Sequence, residues 1–145
     1  MSNSFTATKS IIINATSTIV WKALTSPEIV KQYMFDAEVV SDWQPGSSLI
    51  YKGMWEGKPY EDKGTIIEIE PERLLRATYY SALSGLEDKP ENYNTVTYKL
   101  TAGDGSTKLT VIQDNNPTQE AADKAAENWG MVLKTIKQLL EKAQG

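Results

Sequence analysis

The clearest hydrophobic pattern in the chain lies near its C-terminus. Ala122, Ala126, Trp129, Leu133, Ile136 and Leu140 recur at alternating steps of four and three, and Ala125, Val132 and Leu139 widen the stripe. Residues three and four apart share one face of a helix, whereas a strand repeats every two, so the period predicts an amphipathic helix over 118–143. Lys124, Glu127, Lys134, Lys137, Gln138, Glu141 and Lys142 fall mainly on the opposite side or at its margin, as in a helix that rests on a core and shows its back to water. Asn116 is the expected cap, Pro117 the first helical residue and Gln119 the side chain that reaches back in a capping box. At about 1.5 Å per residue such a helix is roughly 39 Å long, enough to cross a domain of this size.

The rest of the chain supplies what that helix lies on. Residues 5–13 (FTATKSIII) are rich in Thr and Ile and predict a strand with Phe5, Ile11 and Ile13 on one face. After Asn14-Ala15-Thr16 the spacing turns helical: Ile19, Val20, Ala23 and Leu24 fit one short helix. Ile29, Val30, Tyr33 and Met34 fit a second, opened by Ser26-Pro27. Strands are then expected at 38–41, 48–55, 60–70, 74–81, 95–101 and 107–114, punctuated by Gln44-Pro45-Gly46, Glu56-Gly57-Lys58, Pro71-Glu72 and Gly103-Asp104-Gly105. Residues 82–92 are polar and turn-rich and read as a loop. Short turns between successive strands imply an antiparallel meander, whose apolar face needs a cover. The C-terminal helix is that cover. A barrel with an appended helix competes as an architecture but leaves the helix pair after the first strand without a place. The expected class is therefore α+β, an antiparallel sheet curled around a long C-terminal helix.

Composition narrows the chemistry more than the fold. The 145 residues are expected to form one domain, 1–145, with a core that needs no staples. Cysteine and histidine are both absent. This removes thiol nucleophiles, disulfides and imidazole bases, and leaves no metal and no cofactor expected. A net charge of −4 argues against a nucleic-acid partner. No apolar run is long enough to span a membrane and no signal peptide is evident at the start, so a cytoplasmic protein is expected.

The run Val20-Trp21-Lys22-Ala23-Leu24-Thr25-Ser26-Pro27-Glu28 resembles the VWxALTxPE signature of the family of activators of heat shock protein 90 ATPase, homologue-like, in the START/Bet v 1-like (SRPBCC) superfamily. Gly64-Thr65-Ile66-Ile67-Glu68-Ile69-Glu70-Pro71-Glu72-Arg73-Leu74 resembles its glycine strand and proline turn, and Trp129-Gly130 with Leu133, Ile136 and Leu140 its closing helix. The resemblance spans essentially the whole chain. It implies the helix-grip fold, a sheet wrapped around a long C-terminal helix with a cavity between. It leaves function open, because the superfamily holds ligand carriers, cyclases and co-chaperone domains. The full eukaryotic activator has a further N-terminal domain for which residues 1–5 offer no counterpart.

Any site is expected between sheet and helix. Strand alternation and the end of the second short helix nominate Met34, Trp55, Tyr79, Tyr98 and Gln113 as lining residues, with Trp129, Gly130 and Leu133 facing them from the helix. Gly130 is the most informative, since glycine inside a helix costs about 1 kcal/mol against alanine. Either a strand comes close or space is left for a ligand. Gln113, an amide among apolar neighbours, needs partners in protein, water or ligand. Trp21 is read as an anchor of the first short helix. Glu38, Glu56, Glu61, Asp62, Glu68, Glu70 and Asp114 form no spaced motif and are mostly expected at the surface, so no catalytic residues are nominated. The leading expectation is binding of a small hydrophobic or aromatic ligand. A co-chaperone-like module whose partner is a chaperone ATPase, docked near residues 86–92, is the alternative, and a polyketide cyclase-like enzyme the third.

Overall fold

A computed structural model describes residues 5–34, 36–81 and 87–144, with Trp55, Ala143 and Gln144 described in backbone only. The order is β1 (Phe5–Ile13), α1 (Ser17–Thr25), α2 (Pro27–Tyr33), β2 (Glu38–Ser41), β3 (Ser48–Trp55), β4 (Lys58–Glu70), β5 (Leu74–Tyr79), β6 (Asn94–Ala102), β7 (Thr107–Asn116) and α3 (Gln119–Gln144). Among the described residues the strands form one antiparallel sheet in the order β1-β7-β6-β5-β4-β3-β2. Five neighbouring pairs are sequential hairpins. The sixth, β1 with β7, brings the chain's two ends together and places α3 against the first strand.

Local chemistry explains the main turns. β3 and β4 meet through Glu56-Gly57, both at positive φ (50° and 78°), as a two-residue turn that matches the twist of its strands requires. β4 is long because it serves two neighbours. Its first half pairs with β3 as far as Thr65 and its second with β5 from Ile66, and Gly64 lies just before the change of partner. A Cβ there would lie 1.7 Å from the Thr78 carbonyl oxygen, so only glycine lets β5 cross so closely. A bulge between Ile66 and Glu68 then resets the alternation. Ile66 is buried, Ile67 is 47% exposed, and Ile69 packs against the core.

The core joins Ile13, Val20, Leu24, Val30, Ile66, Leu75, Leu109 and Val111 to Leu133, Ile136 and Leu140 of α3. The two short helices are tied to each other by the Tyr33 hydroxyl, which donates to the Ala23 carbonyl at 2.7 Å. The start of α3 departs from expectation. Thr118 is its cap, its Oγ1 accepting from Ala121 N at 3.0 Å. Asn116 instead donates to the carbonyls of Phe5 and Gln113, and Gln119 donates to Asp123. The side chain of Asn116 thus serves the β1–β7 pairing, leaving Pro117 before the cap instead of inside the helix. At the far end Lys137 is not on the outer face. Its ammonium donates to the Ile12 carbonyl at 3.0 Å and pairs with Glu141, whose carboxylate accepts from Asn14 N at 2.9 Å. α3 lies along the β1 edge, so the margin of its apolar stripe meets backbone rather than water.

Candidate functional site

α3 packs along β1 and β7 and stands off the middle of the sheet over its first half. A cavity of about 270 Å³, partly open to solvent, fills the space. Its floor follows from register. Ala77, Val96 and Gln113 lie side by side across β5, β6 and β7, and the next inward row is Leu75, Tyr98 and Val111. The larger side chains of the inner row close the core. The alanine and valine of the outer row leave room. Leu49 and Tyr51 of β3, Thr78 and Tyr79 of β5 and Met34 after α2 form the sides, with Ala125, Asn128, Trp129 and Val132 of α3 as the roof.

Met34, Tyr79, Tyr98, Gln113 and Trp129, nominated from sequence, all line this space. Leu133 does not. It is 1% exposed in the closed core, beside a narrow cleft that runs inward from the cavity. Gly130 also turns away: a Cβ there would meet the Lys9 side chain of β1, with Cε at 3.1 Å. Of its two readings, the geometry matches close approach by a strand, because the face of α3 that carries Gly130 packs against a β1 side chain. The Trp55 side chain lies outside the described residues.

Sequence reasoning missed Tyr51, Asp62 and Asn128. Asp62, expected at the surface with the other acids, is buried at 8% exposure and accepts the Tyr79 hydroxyl proton at 2.6 Å. The signal was available: Asp62 stands four residues before Ile66 on the same strand and so shares its inner face, ahead of the bulge. Tyr51 shares a face with Leu49 and lies directly across from Asp62 in the β3–β4 register.

Polar groups around the cavity are organised into two chains. In one, Trp129 Nε1–H donates to Gln113 Oε1 at 2.8 Å, and Gln113 Nε2 donates to Asn116 Oδ1 at 2.8 Å. The amide that needed partners finds them in the protein. The Trp129 ring meets Tyr98 edge to face, with centroids 5.8 Å apart at 87°, a favoured aromatic geometry. In the other, the Tyr79 hydroxyl donates to Asp62, and the Tyr51 and Tyr98 phenols line the same cavity beside it. Burial pushes the Tyr51 phenol up to about 12, with the neighbouring Tyr98 hydroxyl opposing and the Asp62 charge adding. Burial likewise raises Tyr98, helped by the neighbouring phenols, and Tyr79, helped by the charge of Asp62. These phenols are hydrogen-bond donors at neutral pH and not bases.

A second, open groove of about 690 Å³ runs between α2 and α3 and shares Asn128 and Val132 with the cavity. It is larger, but Lys31, Gln32 and Asp36 on its rim mark a solvent-filled surface. Among the described residues no helix is long and apolar enough to cross a membrane.

A curved antiparallel sheet gripping a long C-terminal helix, with two short helices after the first strand and a cavity between, defines the helix-grip class. Solved structures agree. ChR145 from Cytophaga hutchinsonii is 42% identical, with a TM-score of 0.84 over 96% of this chain and 95% of that one. Ara h 8.0201 matches at 14% identity and a TM-score of 0.73, over 97% and 99% of the two chains. DynU16, a protein of the dynemicin biosynthetic locus, matches at 19% identity and a TM-score of 0.79, over 95% of this chain and 48% of that one. The chain belongs to the family described as Activator of Hsp90 ATPase homolog 1-like protein, whose model matches residues 14–141. No curated protein matches the sequence.

Proposed function

We propose that this protein binds a small hydrophobic or aromatic molecule in the cavity under α3. The observation that carries the reading is the cavity itself: about 270 Å³ of space with apolar walls and a few polar groups at fixed positions. A merely structural domain gains nothing from leaving such a space, since each unfilled void forfeits dispersion contacts. Small concave sites with mostly apolar lining and few directed polar groups are the usual form of ligand pockets.

Family membership alone is consistent with an interaction module for a chaperone ATPase, so the test must separate the two. Heteronuclear NMR titration with a panel of apolar and aromatic compounds should move the resonances of Ala77, Val96, Val132 and the Trp129 indole. If no compound binds more tightly than about 1 mM and the protein instead binds a purified chaperone ATPase, the ligand reading is overturned.

A further inference from the structure

Resting on that reading, the way α3 is held decides from which side its cavity is filled. The helix is bonded to the sheet along one flank. Lys137 donates to the Ile12 carbonyl, Glu141 accepts from Asn14 N, and Trp129 N–H donates to Gln113 of β7. Leu133, Ile136 and Leu140 bury the second half of the helix in the core. Moving α3 off β1 would strand these donors and acceptors, which costs more than losing contact alone.

The flank towards α2 is held differently. α2 is tied to α1, its Tyr33 hydroxyl donating to the Ala23 carbonyl at 2.7 Å. Among the described residues no hydrogen bond and no ion pair joins α2 to α3. What passes between them is apolar contact around the inner cleft, through Tyr33, Met34 and Val132. Such contact has no directional requirement, so a small displacement here leaves no polar group stranded.

The same flank faces both spaces. Asn128 and Val132 border the cavity and the open groove alike, while Tyr33 and Met34, consecutive at the end of α2, border the groove and the cavity respectively. One layer of side chains separates the two. Methionine, unbranched and with three rotatable bonds, suits a layer that has to yield.

We infer that the cavity fills and empties through the α2–α3 groove: the end of α2 moves off α3 at Met34 and Val132, while α3 stays bonded to β1 and β7. The groove is the vestibule of the cavity, and the contact of Met34 with the Val132 side of α3 is its gate.

Relaxation-dispersion NMR of the ligand-free protein tests the motion by itself. Microsecond-to-millisecond exchange is expected at Val30, Met34, Asn128 and Val132 and not at Ile12, Lys137 and Glu141. No exchange in the first group, or equal exchange in both, would overturn the gate. Cross-linking tests the route, and the absence of cysteine leaves no competing thiol. Gln32→Cys with Met131→Cys places one thiol on each wall of the groove, to be bridged by a short bis-methanethiosulfonate that dithiothreitol removes. Lys9→Cys with Gly130→Cys, bridged likewise, is the control on the β1 flank. Stopped-flow fluorescence then follows prodan, an uncharged naphthalene. The groove bridge should slow its association and dissociation by the same factor, at least about tenfold, and leave Kd unchanged, because it obstructs the path and not the end states. Dithiothreitol should restore both rates, and the control bridge should leave them as in the wild type. Unchanged rates under the groove bridge, or equal slowing by the control bridge, would overturn the route while leaving the cavity as a binding site. If prodan fails to bind even the unbridged protein, the ligand reading falls and the route with it, whatever the exchange measurement shows of the motion.

Discussion

Truncating Trp129 probes the join between the helix and the sheet. In Trp129→Ala three contributions disappear. The edge-to-face contact with Tyr98 is worth about 1 kcal/mol, and the hydrogen bond to Gln113 about 1 kcal/mol. Trp129 is partly buried, and one side borders space that is already empty. Counting only the area packed against protein, about 100 Å² and below the usual tryptophan value, its lost apolar burial is roughly 2.5 kcal/mol at 25 cal/mol/Å². Alanine's better helix propensity returns about 0.5 kcal/mol. Because these contributions overlap, the expected loss is about 3 kcal/mol, at the lower end of the range for large aromatic truncations. Trp129→Phe keeps a ring in the contact with Tyr98 and loses mainly the N–H bond, so it should cost about 1 kcal/mol. Urea denaturation followed by far-ultraviolet circular dichroism measures both, without relying on the fluorophore being removed. Equal losses in the two variants, or an Ala variant within about 0.5 kcal/mol of wild type, would refute the assignment of Trp129 as the roof of the cavity.

Gly130→Ala should stabilise the protein by up to roughly 1 kcal/mol through helix propensity, since the new methyl meets only the flexible stem of Lys9. Its ligand affinity should match wild type, and a lower melting temperature would contradict this placement. Gly64→Ala should do the opposite. Its Cβ strikes the Thr78 backbone at 1.7 Å, so a loss at or above the 1–3 kcal/mol range of overpacking, roughly, is expected in denaturant titration. High pH provides a further test. Tyr33, Tyr51, Tyr79 and Tyr98 have folded pKa values raised by burial, so their stabilising contribution is complete below the unfolded value of about 10. It falls as pH rises from there, through about 12 for Tyr51. Unfolding midpoints should drop across this window, and the drop should be smaller in Tyr51→Phe. A flat profile would refute the buried placement of these phenols.

The local elements were legible because each rests on a short-range rule. The 3.6-residue stripe through Leu133, Ile136 and Leu140, the Ser26-Pro27 helix start and the Glu56-Gly57 turn are settled by backbone sterics and by which side chains avoid water. The same alternation put Tyr79, Tyr98 and Gln113 on the cavity face. What failed needed knowledge of neighbours. The bulge after Ile66 shifts the strand's parity through its pairing with β5, and Asn116 abandoned the helix cap because β1 brought the Phe5 carbonyl within reach. Gly130 shows the division most sharply. Its presence in a helix announced that something lies close, yet only the docking of α3 along β1 decided that this was Lys9 and not the cavity. The cavity was decided in the same way. Ala77 and Val96 become neighbours only through strand register, and their small volumes become empty space only because the helix is held off them by its contacts elsewhere. Sequence carries the period and the chemistry of each element, whereas the distance between elements is a property of how all of them pack at once.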